Sequence, residues 1–132
     1  MTANVLIVDD EAAITGFLKE LIEEDGYRVA TAADARSARA ALAAGTPDIV
    51  LLDAVLPDGH GHALCQDIRA DRATRHVPVI MMSACSRPVD VEKGLALGAD
   101  AYLGKPFSAS QLMTTVTRLL ERGARGTERA AG

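Results

Sequence analysis

Two adjacent aspartates, Asp9 and Asp10, follow an apolar run near the start of the chain, and a third, Asp53, ends another such run. Ser83 follows a third run, and Lys105 stands before Pro106 after a fourth. Two carboxylates about 5 Å apart repel by roughly 3 kcal/mol at an effective dielectric near 20. Three together need cations, and Lys105 supplies only one positive charge. A hard divalent cation completes the balance, and an oxygen site with few protein ligands suits Mg²⁺, with Mn²⁺ as a substitute. A cation held by two carboxylates keeps positions for water or for phosphoryl oxygens. A carboxylate is a weak nucleophile, yet it can form an aspartyl phosphate when metal and lysine neutralise the incoming group. Ser83 can offer a hydroxyl to a phosphoryl oxygen. Taken singly, each residue has a plainer role. An acidic pair at a helix start complements the helix dipole, an aspartate at a strand end caps a turn, and a lysine before proline is an ordinary loop residue. The joint placement is what the plain roles handle poorly.

The elements that must position these residues follow from periodicity. Asn4 to Val8 is a short β-branched run, a strand. From Ala12 to Glu24, Ile14, Phe17, Leu18, Leu21 and Ile22 fall at helical spacing with one buried face. Tyr27 to Thr31 alternates as a second strand. Asp34 caps an alanine-rich helix that stops near Gly45. Ile49 to Leu52 is continuously apolar up to Asp53, as suits a central parallel strand covered on both faces. A loop with Pro57, Gly59 and Gly61 leads to a helix ending near Arg69. Val79 to Met82 is the fourth strand, Val89 to Leu97 a short helix closed by Gly98, and Ala101 to Leu103 the fifth strand. Ser108 and Gln111 form a capping-box pattern opening a last helix, with Leu112, Val116, Leu119 and Leu120 on its buried face. Five strand-helix units in alternation imply an α/β fold with a parallel sheet, helices on both faces and right-handed crossovers. Asp9, Asp10, Asp53, Ser83 and Lys105 all then lie at carboxyl ends of strands, the edge where open sheets bind ligands. In the order 2-1-3-4-5, strands one and three are neighbours, and the three aspartates converge on one crevice.

The chain of 132 residues fits a single domain, and 48% hydrophobic residues suffice for a core without disulfide staples. The net charge of -4 offers no basic nucleic-acid surface. Cys65 and Cys85 lack CxxC or zinc-like spacing and read as reduced thiols of a cytosolic protein, with Cys85 a small buried thiol near the site mouth. No signal peptide or membrane span is supported. Residues 1–122 are expected to form the domain, and 123–132, rich in Gly, Ala and Arg, a disordered tail or the start of a linker. Asp58, His60 and His62 invite a second metal site, but a Gly-rich solvated loop accounts for them.

These residues resemble the receiver domains of two-component response regulators. The matching stretches are residues 5–11 (VLIVDDE), 49–59 (IVLLDAVLPDG), 79–84 (VIMMSA) and 98–107 (GADAYLGKPF), within a likeness that covers about residues 3–121. The resemblance, not the residue pattern, supplies the flavodoxin-like, doubly wound strand order 2-1-3-4-5 with five helices. It implies that Asp53 is the phosphoacceptor and that Asp9 and Asp10 are the metal-binding pair, Asp10 the direct ligand, with the Val55 backbone carbonyl a further ligand. It implies that Lys105 contacts the phosphoryl group, that the Lys105–Pro106 bond is cis, and that Ser83 and Tyr102 form a switch pair. Leu56 stands where methionine is frequent, a conservative departure. The implied phosphodonor is a sensor histidine kinase, a histidine phosphotransfer protein or a small phosphodonor. The implied output runs through the face of helix four, strand five and helix five, to a protein target, an effector domain absent from this chain, or a homodimer. Val55 and Cys85 flank the phosphoryl position, and neither side chain can act as a general base toward water. A comparatively long-lived phosphorylated state is therefore expected.

The main rival is an enzyme, a small-molecule phosphatase or phosphotransferase working through an aspartyl phosphate. Haloacid-dehalogenase-like enzymes of that kind carry Asp-x-Asp after the first strand and a cap. Here Ala54 and Val55 follow Asp53, and no segment is long enough for a cap. A flavodoxin would need a Ser/Thr/Gly phosphate loop where this chain has Asp9, Asp10 and Glu11. Met1 leads directly into the first strand, which favours a stand-alone receiver or the amino-terminal half of a longer regulator over a piece of a hybrid kinase.

Overall fold

The computed structural model describes residues 2–131, with side chains through 122. The tail or linker expected over 123–132 lies outside the residues described in full. The sheet strands are β1 (Asn4–Val8), β2 (Arg28–Ala32), β3 (Ile49–Asp53), β4 (Val79–Ser83) and β5 (Ala101–Gly104). The helices are α1 (Ala12–Glu24), α2 (Ala35–Ala44), α3 (Gly61–Ala70), α4 (Pro88–Ala96) and α5 (Ala109–Ala131). All sheet pairings are parallel, in the order β2-β1-β3-β4-β5. This is the flavodoxin-like, doubly wound α/β fold. Within the loop expected after Asp53, Val55–Leu56 pairs antiparallel with Gly59–His60, a small hairpin outside the main sheet.

The period-2 alternation of each strand divides its side chains between the sheet's faces. Val5, Ile7, Ile49, Leu51, Ile80 and Met82 pack with Leu18 and Ile22 of α1 and with Leu112, Val116 and Leu119 of α5. Leu6, Val8, Val50, Leu52 and Met81 pack with Ala35 and Ala38 of α2 and with Leu64, Cys65 and Ile68 of α3. All of β3 is buried, because it is central and covered on both faces. Helix α1 departs from its expected face at Phe17, which is 53% exposed. Its inward stripe narrows to Leu18 and Ile22. The second strand sits one residue later than expected, at an edge where only Ala32 is fully buried and the alternation is weak. Asp34 caps α2 by accepting from the Ser37 N–H. Ser108 and Gln111 close a reciprocal capping box, with bonds of 2.9 and 3.0 Å. Among the described residues no helix is long and apolar enough to cross a membrane.

Leu51 is fully buried in the central strand. Leu51→Ala should therefore lower unfolding free energy by about 2–5 kcal/mol, the range for a core leucine whose cavity cannot collapse. Urea denaturation read by circular dichroism measures it, and a loss below about 1 kcal/mol would contradict the packing described.

Candidate functional site

Register decides which polar residues meet. Val8 lies opposite Leu52, so the next residues, Asp9 and Asp53, emerge side by side at the carboxyl edge. Asp53 pairs with Met82, which brings Ser83 to the same edge, and Ser83 pairs with Gly104, one residue before Lys105. The Lys105 ammonium donates to Asp9 Oδ2 and to Asp53 Oδ2, each at 2.9 Å, and lies 3.6 Å from Glu11 Oε1. Carboxylate oxygens of Asp9, Asp10 and Asp53 lie within 4.8 Å of one another. Asp9 and Asp53 are buried, and Asp10 is exposed. Among the described residues this is the one group of three or more His, Cys, Asp or Glu side chains set to hold a metal ion.

The charges are fixed by the backbone as well. Asp9 Oδ1 accepts from the Glu11 N–H at 2.9 Å, and Asp53 Oδ1 accepts from the Val55 N–H at 3.0 Å. Burial pushes the Asp53 carboxyl above its ordinary range, and the neighbouring Asp9 charge adds to this. The Val55 N–H and Lys105 pull the other way without cancelling the burial. Burial works against the Lys105 charge, but the hydrogen bonds to Asp9 and Asp53 outweigh it and hold the ammonium well above its ordinary range. One lysine thus leaves an excess of negative charge. Hard oxygen donors, two of them buried, in excess over the local cations, are a donor set that fits Mg²⁺.

The other expected residues lie around this centre. Ser83 is buried, and its hydroxyl oxygen accepts from the Cys85 N–H at 3.0 Å. The Tyr102 hydroxyl donates to the Cys85 carbonyl, so one residue links the two hydroxyls. The Tyr102 ring lies against α4 where Gly94 has no side chain; a Cβ there would sit 2.8 Å from the ring. The Lys105–Pro106 bond is cis. Val55 is 60% exposed. Cys85 is exposed, not a buried thiol, because it follows β4 into the loop before α4; the buried cysteine is Cys65 in α3. Asp58, His60 and His62 do not form a metal cluster. Asp58 turns to α2, where its two oxygens accept from the Ala35 and Arg36 N–H groups at 2.8 and 3.0 Å, while the histidine rings stand 6.5 Å apart.

Three contributors escaped the sequence reading. Glu11 completes the lysine's acidic surroundings, and its signal was its place in the acidic run after β1. Gly61 abuts the back of Asp53: a Cβ there would fall 2.1 Å from the Asp53 carbonyl oxygen, so no other residue fits without displacing the strand end. Asp58 left no local signal, since its partners lie 22 and 23 residues away.

The chain matches the family model of the response regulator receiver domain over residues 5–117. It belongs to the response regulator receiver family. The probable transcriptional regulator ycf27 of Guillardia theta is 42% identical over 119 residues, which cover 90% of this chain and 46% of that protein. The chain spans about half the length of the curated relatives it matches. A CheY-like receiver domain protein from Methanospirillum hungatei superposes with a TM-score of 0.89 at 28% identity, covering 96% of this chain and 99% of that one. A receiver domain of a sensor histidine kinase from Pseudomonas aeruginosa PAO1, with a magnesium ion coordinated in its active site cleft, gives 0.84 at 29% identity, covering 92% and 99%. Receiver domains are signalling domains of two-component systems, not classical enzymes, which answers the principal rival reading at the level of the family.

Burial of a carboxyl in this site has a consequence for stability. An acid whose folded pKa is raised above its unfolded value costs stability as pH rises from the unfolded value through the folded one, and the cost is complete above it. Asp53 is such an acid. In metal-free buffer Asp53→Asn should stabilise the domain at neutral pH, since it removes a charge that burial disfavours. The gain should vanish below pH 3.8, the ordinary value for this carboxyl. Thermal midpoints of both proteins across pH 3–8 in chelator test this, and a gain that grows toward acid would contradict it.

Proposed function

We propose that the domain is a phosphorylation-dependent switch that accepts a phosphoryl group on Asp53. The observation that carries this reading is the convergence of Asp9, Asp10 and Lys105 on the buried Asp53 carboxylate at the carboxyl edge of the sheet. In the transfer, an Asp53 oxygen bonds to phosphorus as the phosphorus–donor bond breaks, and the leaving group departs to the donor side. Asp9, Asp10, Asp53 and the Val55 carbonyl would hold Mg²⁺ or Mn²⁺, which supplies charge neutralisation for the phosphoryl oxygens when bound. Lys105, already beside Asp53, would pair with a phosphoryl oxygen. Ser83 would turn its hydroxyl proton to another, since its oxygen already accepts from Cys85 and its proton can donate.

The donor in this reading is a sensor histidine kinase, a histidine phosphotransfer protein or a small acyl phosphate, and the location is cytoplasmic. The movement of Ser83 would pass to Tyr102 and on to the face of α4, β5 and α5. Exposed Val89 and Leu95 on α4 support that face as the output surface, toward a protein target, a further domain or a second copy of the chain. The proposed unit is residues 1–122, with 123–132 leading away from it.

Incubation with acetyl phosphate and Mg²⁺, followed by intact mass, should show a single phosphoryl group retained per chain. Asp53→Asn should show none. Asp10→Ala should need at least about tenfold more Mg²⁺ for the same rate, and Asp9→Ala less of an increase. Label on another residue in Asp53→Asn would remove the assignment, and many turnovers of acetyl phosphate without retained label would favour the enzyme reading.

The phosphorylated state should be long-lived. Val55 and Cys85 are both exposed beside the site, yet neither can orient an attacking water. Val55→Asn or Val55→Glu should speed decay severalfold in excess Mg²⁺ once the donor is removed. Decay slower in both variants than in the unsubstituted chain would reject the idea.

A further inference from the structure

The loop after Asp53 is held from three sides. The Gly61 N–H donates to the Ala54 carbonyl at 2.9 Å, closing the base of the hairpin. Val55 pairs with His60 and Leu56 with Gly59 across it. At its tip, Asp58 reaches across to another helix, accepting from the first two N–H groups of α2. Those groups carry the positive end of the helix dipole and have no partner within the helix, so a carboxylate with both oxygens engaged is a strong tie. A cap for α2 was already present in Asp34, which takes the Ser37 N–H. The second carboxylate lies 22 and 23 residues beyond the two amides it caps, and it fixes the hairpin as well as the helix.

The hairpin's position matters because it carries Val55, whose N–H donates to Asp53 Oδ1 at 3.0 Å. The Val55 carbonyl is a cation ligand in the proposed reading of the site. We propose that Asp58 is a positioning residue for the cation site: by strapping the hairpin to the N-terminus of α2, it holds Val55 against Asp53. The inference rests on the reading of Asp53, Asp10 and Val55 as cation ligands. Asp58 itself touches neither the cation nor the phosphoryl group. It acts as the partners of metal ligands generally do, by restricting where a ligand can go.

Asp34 supplies the control, because it caps the same helix and its side chain bonds Ser37, not a hairpin residue. Mn²⁺ binding by electron paramagnetic resonance and Mg²⁺ dependence of acetyl phosphate labelling would be measured on the full chain, with amide exchange at Val55. Asp58→Ala should weaken Mn²⁺ binding about tenfold, as loss of a ligand's supporting partner does. It should also speed exchange at Val55 while Ile7 and Leu51 keep their protection, and saturating Mg²⁺ should restore the labelling rate. Asp58→Asn, which keeps one acceptor oxygen, should fall between. Asp34→Ala should lower thermal stability with Mn²⁺ affinity unchanged. Unchanged affinity in Asp58→Ala, or an equal loss in Asp34→Ala, would overturn the positioning role while leaving the cation site intact. Absence of Mn²⁺ binding in the unsubstituted chain, or binding unaffected by Asp10→Ala, would instead remove the cation reading and this inference with it.

Discussion

One ammonium group joins the ends of three strands. Lys105 follows β5, Asp53 ends β3 and Asp9 follows β1, and the lysine donates at 2.9 Å to both carboxylates. Nothing local could assemble this trio: the residues are 52 and 96 positions apart from the lysine. Only the parallel register brings them together, and only the buried apolar strands beneath hold that register against the repulsion of three carboxylates. The site is therefore a charge imbalance imposed by the core. Each buried leucine or isoleucine contributes about 1.5–3 kcal/mol, so a few core side chains suffice to hold like charges about 5 Å apart, which repel by roughly 3 kcal/mol a pair. A sheet this well covered can tolerate an edge that is electrostatically unfavourable.

That division explains what was legible in the sequence. The core announced itself because burial on both faces leaves an unbroken apolar run, as at Ile49 to Leu52, and because helix faces repeat at fixed spacing, as at Leu112, Val116 and Leu119. The acidic cluster was legible for a related reason. Strand ends are easy to find, and polar residues placed at several of them share one edge whatever the intervening chain does. Boundaries blurred where periodicity was weak, as at β2, whose edge position leaves most side chains exposed. Phe17 misled because spacing alone cannot say how wide a helix's buried stripe is. Cys85 misled because a small apolar side chain just past a buried strand gives no sign of whether the chain has already turned to the surface.

What stayed hidden has a common physical form. Gly61, Gly94 and Asp58 act through contacts made across the fold, with the Asp53 carbonyl, the Tyr102 ring and the α2 N-terminus respectively. A glycine in a helix ordinarily weakens it, and Gly94 is explained only by the ring that occupies its missing side chain. An aspartate between proline and glycine ordinarily belongs to a turn, and Asp58 is explained only by two amide groups of another helix. Local statistics describe such residues correctly and still miss their purpose, because the partner lies outside any window along the chain.

The two sides of the site differ in how they are held, and the difference suits a switch. On the β3 side, the hairpin is fixed by backbone pairing, by the tight seat of Gly61 and by both oxygens of Asp58. On the β4 side, Ser83 and Tyr102 are joined through single hydrogen bonds to the two ends of Cys85, its N–H and its carbonyl. A group tied by one hydrogen bond to exposed backbone is released when that bond breaks, whereas the hairpin is released only when several ties break together. A phosphoryl group on Asp53 would meet a rigid wall on one side and a movable hydroxyl on the other. Any free energy released by pairing with Ser83 would therefore act on the looser side, drawing the Cys85 peptide and with it the restraint on Tyr102. In the proposed switch, the asymmetry would direct the response toward α4 and β5 without requiring the hairpin side to move.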